Sequence, residues 1–308
     1  MNTLCVTGAN ARYFITTLAL LEGLTGRFPL ERVRVCDFGL TDGQRAYLRA
    51  AGLLLDRPKI LPTDAHPYLC KGHLSEYCAG EAWDNLLWLD ADMMVGALNL
   101  AMAERLADDL RRSGKALATT DTVDRMTFGG MMDELHSGGH YVTPAERLLR
   151  DRGIDPDSPY LMSALMLWVS RGLLAEWAVT CRSVAQHALW EQNVLNALVH
   201  PDPGCVEVLD ARLWQVYDAP LADVTMPDPR NRHGFVLDGH PVMVVHATSR
   251  KGHHLDADLS LNFGEHVLKG YLRTFANPAL QQQHLRHLAA AVTRNRAALA
   301  EIGVLQPR

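Results

Sequence analysis

Two carboxylates near the middle of the first half of the chain have a spacing that could hold a metal ion. Asp90 and Asp92 come directly after the apolar run 86–89. Ligands of open α/β sheets bind outside the carboxyl ends of the strands, so two acids at such an end can face one divalent cation. Mg²⁺ and Mn²⁺ prefer oxygen ligands and neutralise a diphosphate leaving group. The alternative is a pair of exposed turn aspartates that cap a following helix, and the apolar run favours the metal site.

A histidine and a loop are further candidates. His246 ends the apolar run 242–245, and a neutral imidazole can complete a Mn²⁺ shell that carboxylates begin. The alternative is a hydrogen-bonded histidine at a strand end. Asn10 and Tyr13 follow the first β-prone run, where Tyr13 could stack on a base and Asn10 could bind its edge. Equally, Tyr13 could begin the first helix and pack inward.

The elements that must position these residues alternate along the first half of the chain. Short apolar runs at 4–7, 33–37, 59–61, 85–90 and 116–120 predict strands, and the stretches 12–24, 41–54, 72–82 and 99–113 predict helices. Thr41 and Gln44 form a capping box at the start of the second helix. Strands that alternate with helices of this length predict an α/β fold with a mostly parallel sheet covered on both faces.

The second half of the chain is less regular. The stretch 121–140 is rich in Gly, Met and Asp, which predicts a functional loop that forms a lid or a wall of the site, with its methionines on that surface or in the core. A second capping box starts at Thr143, and the runs 161–169 and 241–246 predict strands. Helices are predicted at 183–198 and 277–302. We therefore predict one continuous domain over 1–276 and a C-terminal helical extension over 277–308, which could pack in a homodimer or cap the fold.

Composition excludes several classes of protein. Thirty Lys and Arg against 35 Asp and Glu give a net charge of -5, which argues against a non-specific nucleic-acid binder. No apolar run approaches the roughly 20 residues of a membrane span. The apolar stretch 13–21 faintly resembles a signal peptide, but no small-residue cleavage site follows it cleanly. Six scattered cysteines without Cys-x-x-Cys spacing favour a reducing, cytoplasmic location.

The order of these motifs resembles the retaining glycosyltransferases of the GT-A fold, especially glycosyltransferase family 8. The resemblance spans about residues 3 to 255, and four segments carry it: Val6-Thr7-Gly8-Ala9-Asn10-Ala11-Arg12-Tyr13, Trp88-Leu89-Asp90-Ala91-Asp92-Met93, Trp190-Glu191-Gln192-Asn193-Val194-Leu195-Asn196 and Val242-Met243-Val244-Val245-His246. They are similar to the family's nucleotide-contacting loop, its metal motif, the start of a helix beneath the sugar, and its last strand with a metal-binding histidine.

The resemblance implies a metal-dependent enzyme that transfers a sugar, with retention, from a UDP-sugar to an acceptor such as a glycan, a natural product or a protein. It implies that Asp90, Asp92 and His246 bind Mn²⁺ or Mg²⁺. It makes Gln192 and Glu191 the catalytic candidates, since an amide or carboxylate near the anomeric carbon stabilises oxocarbenium character. The implied donor contacts are Thr7, Gly8, Asn10, Tyr13, Lys71, Asp90, Ala91 and Lys251.

The chain also departs from the family pattern. Glu191 stands where the family usually has Asp, and Met162-Ser163-Ala164 stands where Asn-x-Gly is common. The counterpart of the family's lysine after His246 is Lys251, displaced by one position. These departures keep a non-catalytic nucleotide-sugar binder open as an alternative.

Two other enzyme classes fit the residues less well. A phosphotransferase of the haloacid dehalogenase type has Thr or Val two positions after its second Asp, where this chain has Met94. A nucleotidylyltransferase usually opens with a Gly-rich loop that bears Arg and Lys, whereas the segment 8–12 holds one glycine and one arginine.

Overall fold

A computed structural model of the chain describes residues 2–228, 230–248 and 254–308. The strands in these residues are β1 (Thr3–Ala9), β2 (Val33–Asp37), β3 (Leu54–Leu55), β4 (Asn85–Leu89), β5 (Met93–Val95), β6 (Leu117–Asp121), β7 (Leu161–Trp168), β8 (Val206–Leu209), β9 (Val236–Leu237), β10 (His240–Pro241), β11 (Val244–His246), β12 (His254–Phe263), β13 (His266–Phe275) and β14 (Leu305–Pro307). The helices are α1 (Phe14–Leu24), α2 (Asp42–Ala50), α3 (Pro67–Gly72), α4 (Leu74–Tyr77), α5 (Leu100–Arg112), α6 (Phe128–Ser137), α7 (Thr143–Asp151), α8 (Arg171–Ser183), α9 (Trp190–Val199), α10 (Ala211–Trp214), α11 (Pro278–Arg294) and α12 (Arg296–Glu301).

Seven strands form the central sheet, in the order β3-β2-β1-β4-β7-β6-β8. The pairs β1–β2, β2–β3 and β6–β8 are parallel, and β6–β7 is antiparallel. The prediction of an α/β fold with a mostly parallel sheet is therefore confirmed. By internal contacts, the chain divides into two compact units. The first comprises Met1–Leu4, Arg57–Trp88 and Ala101–Ala211, and the second comprises Cys5–Asp56, Leu89–Leu100 and Arg212–Arg308.

Helix α1 is an almost wholly buried helix of the second unit. Ten of its 11 residues are buried, because it packs against α11, β5 and β13 and so has little free surface. Its one acidic residue, Glu22, is 2% exposed and is paired with Arg232 at 2.7 Å and Arg294 at 2.8 Å. Two cations on other segments thus compensate the carboxylate that α1 buries.

Helix α9 is the corresponding buried helix of the first unit. All ten of its residues are buried, and it packs against α3, α7, α8 and β7. The Asn196 amide accepts the N–H of Leu161 and donates to its carbonyl, both at 2.8 Å. This paired bond fixes α9 to the start of β7 and thereby fixes the residues at the first turn of α9.

Several local predictions were wrong. The third strand is Leu54–Leu55 rather than 59–61, because the chain turns to extended structure directly after the C-terminus of α2. The stretch 121–140 contains α6, whose N-cap Thr127 accepts the Gly130 N–H. Met131 and Met132 on α6 are core residues, 2% and 5% exposed.

Other predicted elements differ from the structure to a smaller extent. The Thr41 capping box is confirmed, whereas Thr143 is the first residue of α7 and its side chain makes no capping hydrogen bond. The helix predicted at 277–302 is divided at Asn295 into α11 and α12. The long antiparallel hairpin of β12 and β13 was not predicted. A domain boundary after residue 276 stays a prediction.

Candidate functional site

The candidate metal residues come together through one short strand pair in the second unit. The acidic pair is followed by β5, which runs antiparallel to β11 with His246 opposite Met93. The Ala247 N–H also donates to the Asp92 carbonyl at 2.9 Å. This register places the His246 ring beside the Asp92 side chain, although 154 residues separate them in sequence.

The three side chains form a compact cluster of possible ligands, which we call the metal centre. His246 Nε2 lies 3.0 Å from Asp92 Oδ1, and one ligand atom each of Asp90, Asp92 and His246 lies within 4.8 Å of the others. Asp92 and His246 are 5% and 4% exposed, and Asp90 is partly exposed. The alternative, in which both aspartates are exposed turn residues, is therefore wrong for Asp92.

The spacing of these atoms suits a small divalent cation. Ligands at about 2.1 Å in neighbouring positions of an octahedral ion are about 3.0 Å apart. The separation of Asp92 Oδ1 and His246 Nε2 has that value. Two carboxylates and one imidazole form a donor set that suits Mn²⁺ as well as Mg²⁺. The residues therefore fit the metal that the resemblance implies, with Asp90 as the partly exposed ligand.

An arginine that the sequence analysis did not single out contacts the same centre. Arg273, on β13, lies with Nη1 3.1 Å from Asp92 Oδ2. Burial alone would raise the pKa of Asp92, but the charges and hydrogen bonds of His246 and Arg273 outweigh it and hold the pKa well below its usual range. Asp92 is thus a carboxylate at neutral pH.

Two tyrosines support Arg273. Its Nε donates to the Tyr271 hydroxyl at 3.2 Å, and its guanidinium lies 5.7 Å from the centre of the Tyr13 ring. The two rings contact each other with centroids 5.2 Å apart, and Arg12 lies over the Tyr271 ring at 4.0 Å. Burial, followed by the Asp92 charge, raises the pKa of Tyr13, so its hydroxyl stays neutral. We call these four residues the arginine–tyrosine cluster.

The far side of the His246 ring is held by an amide. Gln215 Nε2 lies 3.3 Å from His246 Nδ1, and the Gln215 side chain is fully buried. A partner on Nδ1 fixes the orientation of the ring and leaves Nε2 directed at Asp92. Gln215 is a second contact of the centre that the sequence analysis missed.

The predicted donor contacts begin in β1, which holds Thr7 and Gly8, and continue into the turn that follows its carboxyl end. Thr7 is 2% exposed, and within the described residues its hydroxyl has no hydrogen-bond partner. Gly8 faces the Phe38 ring so closely that a Cβ would collide with it, which gives this glycine a packing role. Asn10 Oδ1 accepts the Tyr13 N–H at 3.0 Å, so its side chain shapes the turn into α1.

Two more predicted donor contacts have different outcomes. Ala91 is 6% exposed and lies between the two aspartates of the metal centre. Lys251 lies outside the described residues.

The other predicted residues form a buried polar cluster in the first unit. Lys71 Nζ donates to Ser163 Oγ at 3.1 Å and lies 3.5 Å from Glu191 Oε1. Ser163 Oγ is also 3.1 Å from Glu191 Oε1 and from Gln192 Oε1, and the Ser163 N–H donates to that amide oxygen at 3.0 Å. All four residues are at most 6% exposed. We call them the Lys71 cluster.

Close packing of helices makes the Lys71 cluster possible. Gly72, the last residue of α3, lies where a Cβ would be 2.7 Å from Cys181 Sγ on α8. Trp177 Nε1 donates to the Glu191 carbonyl at 2.8 Å, which holds the first turn of α9 against α8. Lys71 is consequently a buried residue rather than a solvated lysine at the start of a helix. Ser163, which the sequence analysis recorded only as a departure from the family, is the residue that joins the other three.

Comparisons with known proteins give fold neighbours only. No protein-family model matches the chain, and no curated protein matches it. Solved structures similar to this chain include the bifunctional glycosyltransferase WbbM, at 12% identity over 79% of this chain with a TM-score of 0.49. They include the galactosyltransferase LgtC, in complex with donor and acceptor sugar analogues, at 19% identity over 79% of this chain and 86% of that chain, with a TM-score of 0.45. They also include mouse xyloside xylosyltransferase 1, at 11% identity over 80% of this chain and 97% of that chain, with a TM-score of 0.43.

The chain spans 45% of the length of the WbbM chain. Among the described residues, none of the helices combines the length and the apolar character that crossing a membrane requires.

Proposed function

We propose that this chain is a metal-dependent glycosyltransferase that moves a sugar from a nucleotide-diphosphate sugar to an acceptor. The observation that carries the proposal is the metal centre, in which Asp90, Asp92 and His246 offer ligand atoms within 4.8 Å of one another. A divalent cation held there would neutralise the two phosphates of the donor and stabilise the diphosphate as it leaves. The order of sequence motifs, which resembles that of glycosyltransferase family 8, supports the same reaction.

The metal centre lies beside residues that suit a nucleotide. Arg12 and Arg273 supply positive charge next to it, and Tyr13 and Tyr271 supply aromatic surface. Guanidinium groups bind phosphate oxygens through two parallel hydrogen bonds, and aromatic rings stack on bases. We propose UDP as the nucleotide, because the Asn10–Tyr13 loop resembles a uridine-contacting loop, with Thr7, Gly8, Ala91 and Lys251 as further donor contacts.

For the sugar, the proposal assigns Gln192 and Glu191. The resemblance places these two residues beneath the sugar ring, and the structure holds both rigidly through Ser163. An amide cannot remove a proton, so Gln192 suits stabilisation of positive charge at the anomeric carbon, and we propose transfer with retention. Lys71 Nζ, 3.5 Å from Glu191 Oε1, supplies a cation beside that buried carboxylate.

Hydrolysis of nucleotide sugars tests the proposal. Purified protein should release a free sugar slowly from a UDP-sugar when Mn²⁺ is present, and chelation of the metal should stop the release. Asp92→Asn should lose this activity, whereas Asp223→Asn, which changes an exposed aspartate of the same unit, should keep it. If the protein binds UDP tightly in the presence of Mn²⁺ but hydrolyses none of the nucleotide sugars, it is instead a non-catalytic nucleotide-sugar binder.

Stereochemistry is tested on the same product. Proton NMR of the fresh product should show the anomeric configuration of the donor. An inverted product would contradict retention and would make Glu191 the leading candidate for a base that deprotonates the acceptor. Gln192→Ala should lower kcat by more than it weakens UDP-sugar binding, since its proposed role is at the reacting carbon.

A further inference from the structure

A recess in the second unit lies at the opposite end of α1 from the arginine–tyrosine cluster. It is formed by the last turn of α1, the turn 25–30, the first residue of β2, the first residue of α5 and the last residue of α11. Its volume is about 630 Å³, which lies within the range of sites that bind small molecules. Helix α1 has 11 residues, so at 1.5 Å per residue about 16 Å separates the recess from the turn that holds Tyr13.

The wall of the recess is mostly apolar. Leu24, Phe28 and Val33 form its buried part, at 2–4% exposure. Leu30 lines the same recess and is 58% exposed. A strongly exposed leucine that continues a buried apolar wall makes a surface that a hydrocarbon group can cover.

The turn that carries this wall is fixed by backbone hydrogen bonds. The N–H groups of Arg27 and Phe28 both donate to the Leu24 carbonyl, at 2.9 and 3.0 Å, and the Leu100 N–H donates to the Arg27 carbonyl at 3.1 Å. Gly26 has a φ of +79°, a conformation that favours glycine. A ligand would therefore meet a wall that is already formed.

Arg27 is the chemically unusual residue of the recess. Within the described residues its guanidinium makes no hydrogen bond and no ion pair, and its Nε is buried. A buried donor that lacks an acceptor is destabilising, and native proteins rarely contain one. The second arginine of the recess, Arg294, differs because it is paired with Glu22 at 2.8 Å. Arg27 thus offers a positive charge and a buried donor that no side chain of the recess satisfies.

We propose that the recess binds a fatty-acid-type amphiphile, with its carboxylate on Arg27 and its hydrocarbon chain along the apolar wall. A guanidinium binds one carboxylate through two parallel N–H···O hydrogen bonds, so one unpaired arginine matches one carboxylate. A phosphate dianion would call for a second cation, and Arg294 is already paired with Glu22. The site does not depend on the proposed function, because it shares no residue with the metal centre, the arginine–tyrosine cluster or the Lys71 cluster.

Calorimetric titration with dodecanoate, below its micellar concentration, tests the proposal. The unchanged protein should bind dodecanoate at one site and decanoate roughly tenfold more weakly, since each methylene placed on an apolar wall changes the affinity about fourfold. Dodecyldimethylamine oxide, which has the same chain and no net charge, should also bind roughly tenfold more weakly than dodecanoate. Arg27→Gln should lose roughly tenfold for dodecanoate and keep its affinity for the amine oxide. Arg296→Gln is the matched control, because Arg296 is an exposed arginine of the same unit outside the recess, and it should change neither affinity.

A second variant tests the chain without touching the arginine. Leu30→Gln, at an exposed position, should weaken dodecanoate and the amine oxide by the same factor and leave the fold intact. Mn²⁺-dependent binding of UDP should be unchanged in both variants, so failure of this proposal and failure of the proposed function are separate results.

Three results would overturn the proposal. The first is no binding of dodecanoate to the unchanged protein. The second is equal dodecanoate affinity in Arg27→Gln and the unchanged protein; together with a lower stability of this variant in urea, that result would assign Arg27 to the C-terminus of α1, where a cation interacts favourably with the helix dipole. The third is binding of dodecyl phosphate at least tenfold more tightly than dodecanoate, which would overturn the choice of a carboxylate.

Discussion

A buried histidine on α11 should make the protein lose stability in mild acid. His284 is 1% exposed, and within the described residues neither of its ring nitrogens has a hydrogen-bond partner. Its ring packs edge to face against Phe275, with centroids 5.5 Å apart. Burial lowers the pKa of His284 from 6.5 to about 4, although the charge of Asp92 acts in the opposite direction.

The sign and size of the effect follow from linkage. Between pH 6.5 and pH 4, the unfolded chain holds a proton on His284 that the folded protein does not, so stability falls as the pH falls through this range. Lowering the pH from 7 to 5 should cost about 2 kcal/mol of unfolding free energy through this one residue. Burial also lowers the pKa of His287, one turn further along α11, to about 3, which acts in the same direction.

His284→Leu isolates the contribution. Urea unfolding at pH 7 and pH 5 should show that the variant loses about 2 kcal/mol less than the unchanged protein over this interval. At pH 7 the variant should be at least as stable, because an unpartnered buried polar group is replaced by an apolar side chain of similar size. His136→Leu, at an exposed position on α6, should leave the pH dependence unchanged. Parallel stability curves for His284→Leu and the unchanged protein would refute the reasoning.

Three substitutions, measured by urea unfolding, test the contacts within each of the two units. Lys71→Met should cost about 3–5 kcal/mol, because it leaves the Glu191 carboxylate buried without its cation, and a loss below 1 kcal/mol would contradict the Lys71 cluster. Gly72→Ala should cost about 1–3 kcal/mol, since the new Cβ would lie 2.7 Å from Cys181 Sγ, and an unchanged midpoint would show that α3 and α8 can separate freely. Asn277→Ala should cost about 1–2 kcal/mol, because Asn277 caps α11 with bonds to two N–H groups, and a smaller effect would mean that water replaces the cap.

The parts of the fold that were predicted are those with a strong local pattern. The apolar runs of β1, β2, β4, β6 and β7 gave correct strands, because strands of a mostly parallel sheet are buried on both faces. The Thr41 capping box gave the start of α2 correctly. The prediction of a loop over 121–140 was wrong, because the helix in that stretch is stabilised by its N-cap and by the burial of its methionines rather than by strong helix propensity.

A signal for the missed hairpin was present in the sequence. Leu255, Ala257, Leu259, Leu261 and Phe263 alternate with polar residues, which is the period of a half-buried strand. Gly264 follows this run, and its φ of +66° makes it the residue that turns β12 into β13. This pattern would have predicted the β12–β13 hairpin, but it would not have identified Arg273 as a contact of the metal centre.

The residues of the candidate site also fall into two groups, those that a local sequence pattern predicts and those that it does not. The two aspartates could be chosen from sequence because they directly follow a buried strand, and His246 because it ends another. The contact between Arg273 and Asp92 joins residues 181 positions apart, and it depends on how the hairpin lies over the centre, which no local pattern encodes. Ser163 has the same character, since its role comes from three partners on other elements.

Mn²⁺-dependent binding of UDP to Asp90→Asn tests the central claim most directly. Asp90 is the partly exposed ligand of the centre, so its substitution should disturb the fold less than a change at the buried Asp92. Calorimetry should show that Mn²⁺ tightens UDP binding to the unchanged protein and to Asp223→Asn by at least about tenfold, and that this gain is lost in Asp90→Asn. An equal gain in all three proteins would show that the metal binds elsewhere, and no gain in any of them would contradict a metal-dependent site for a nucleotide-diphosphate sugar.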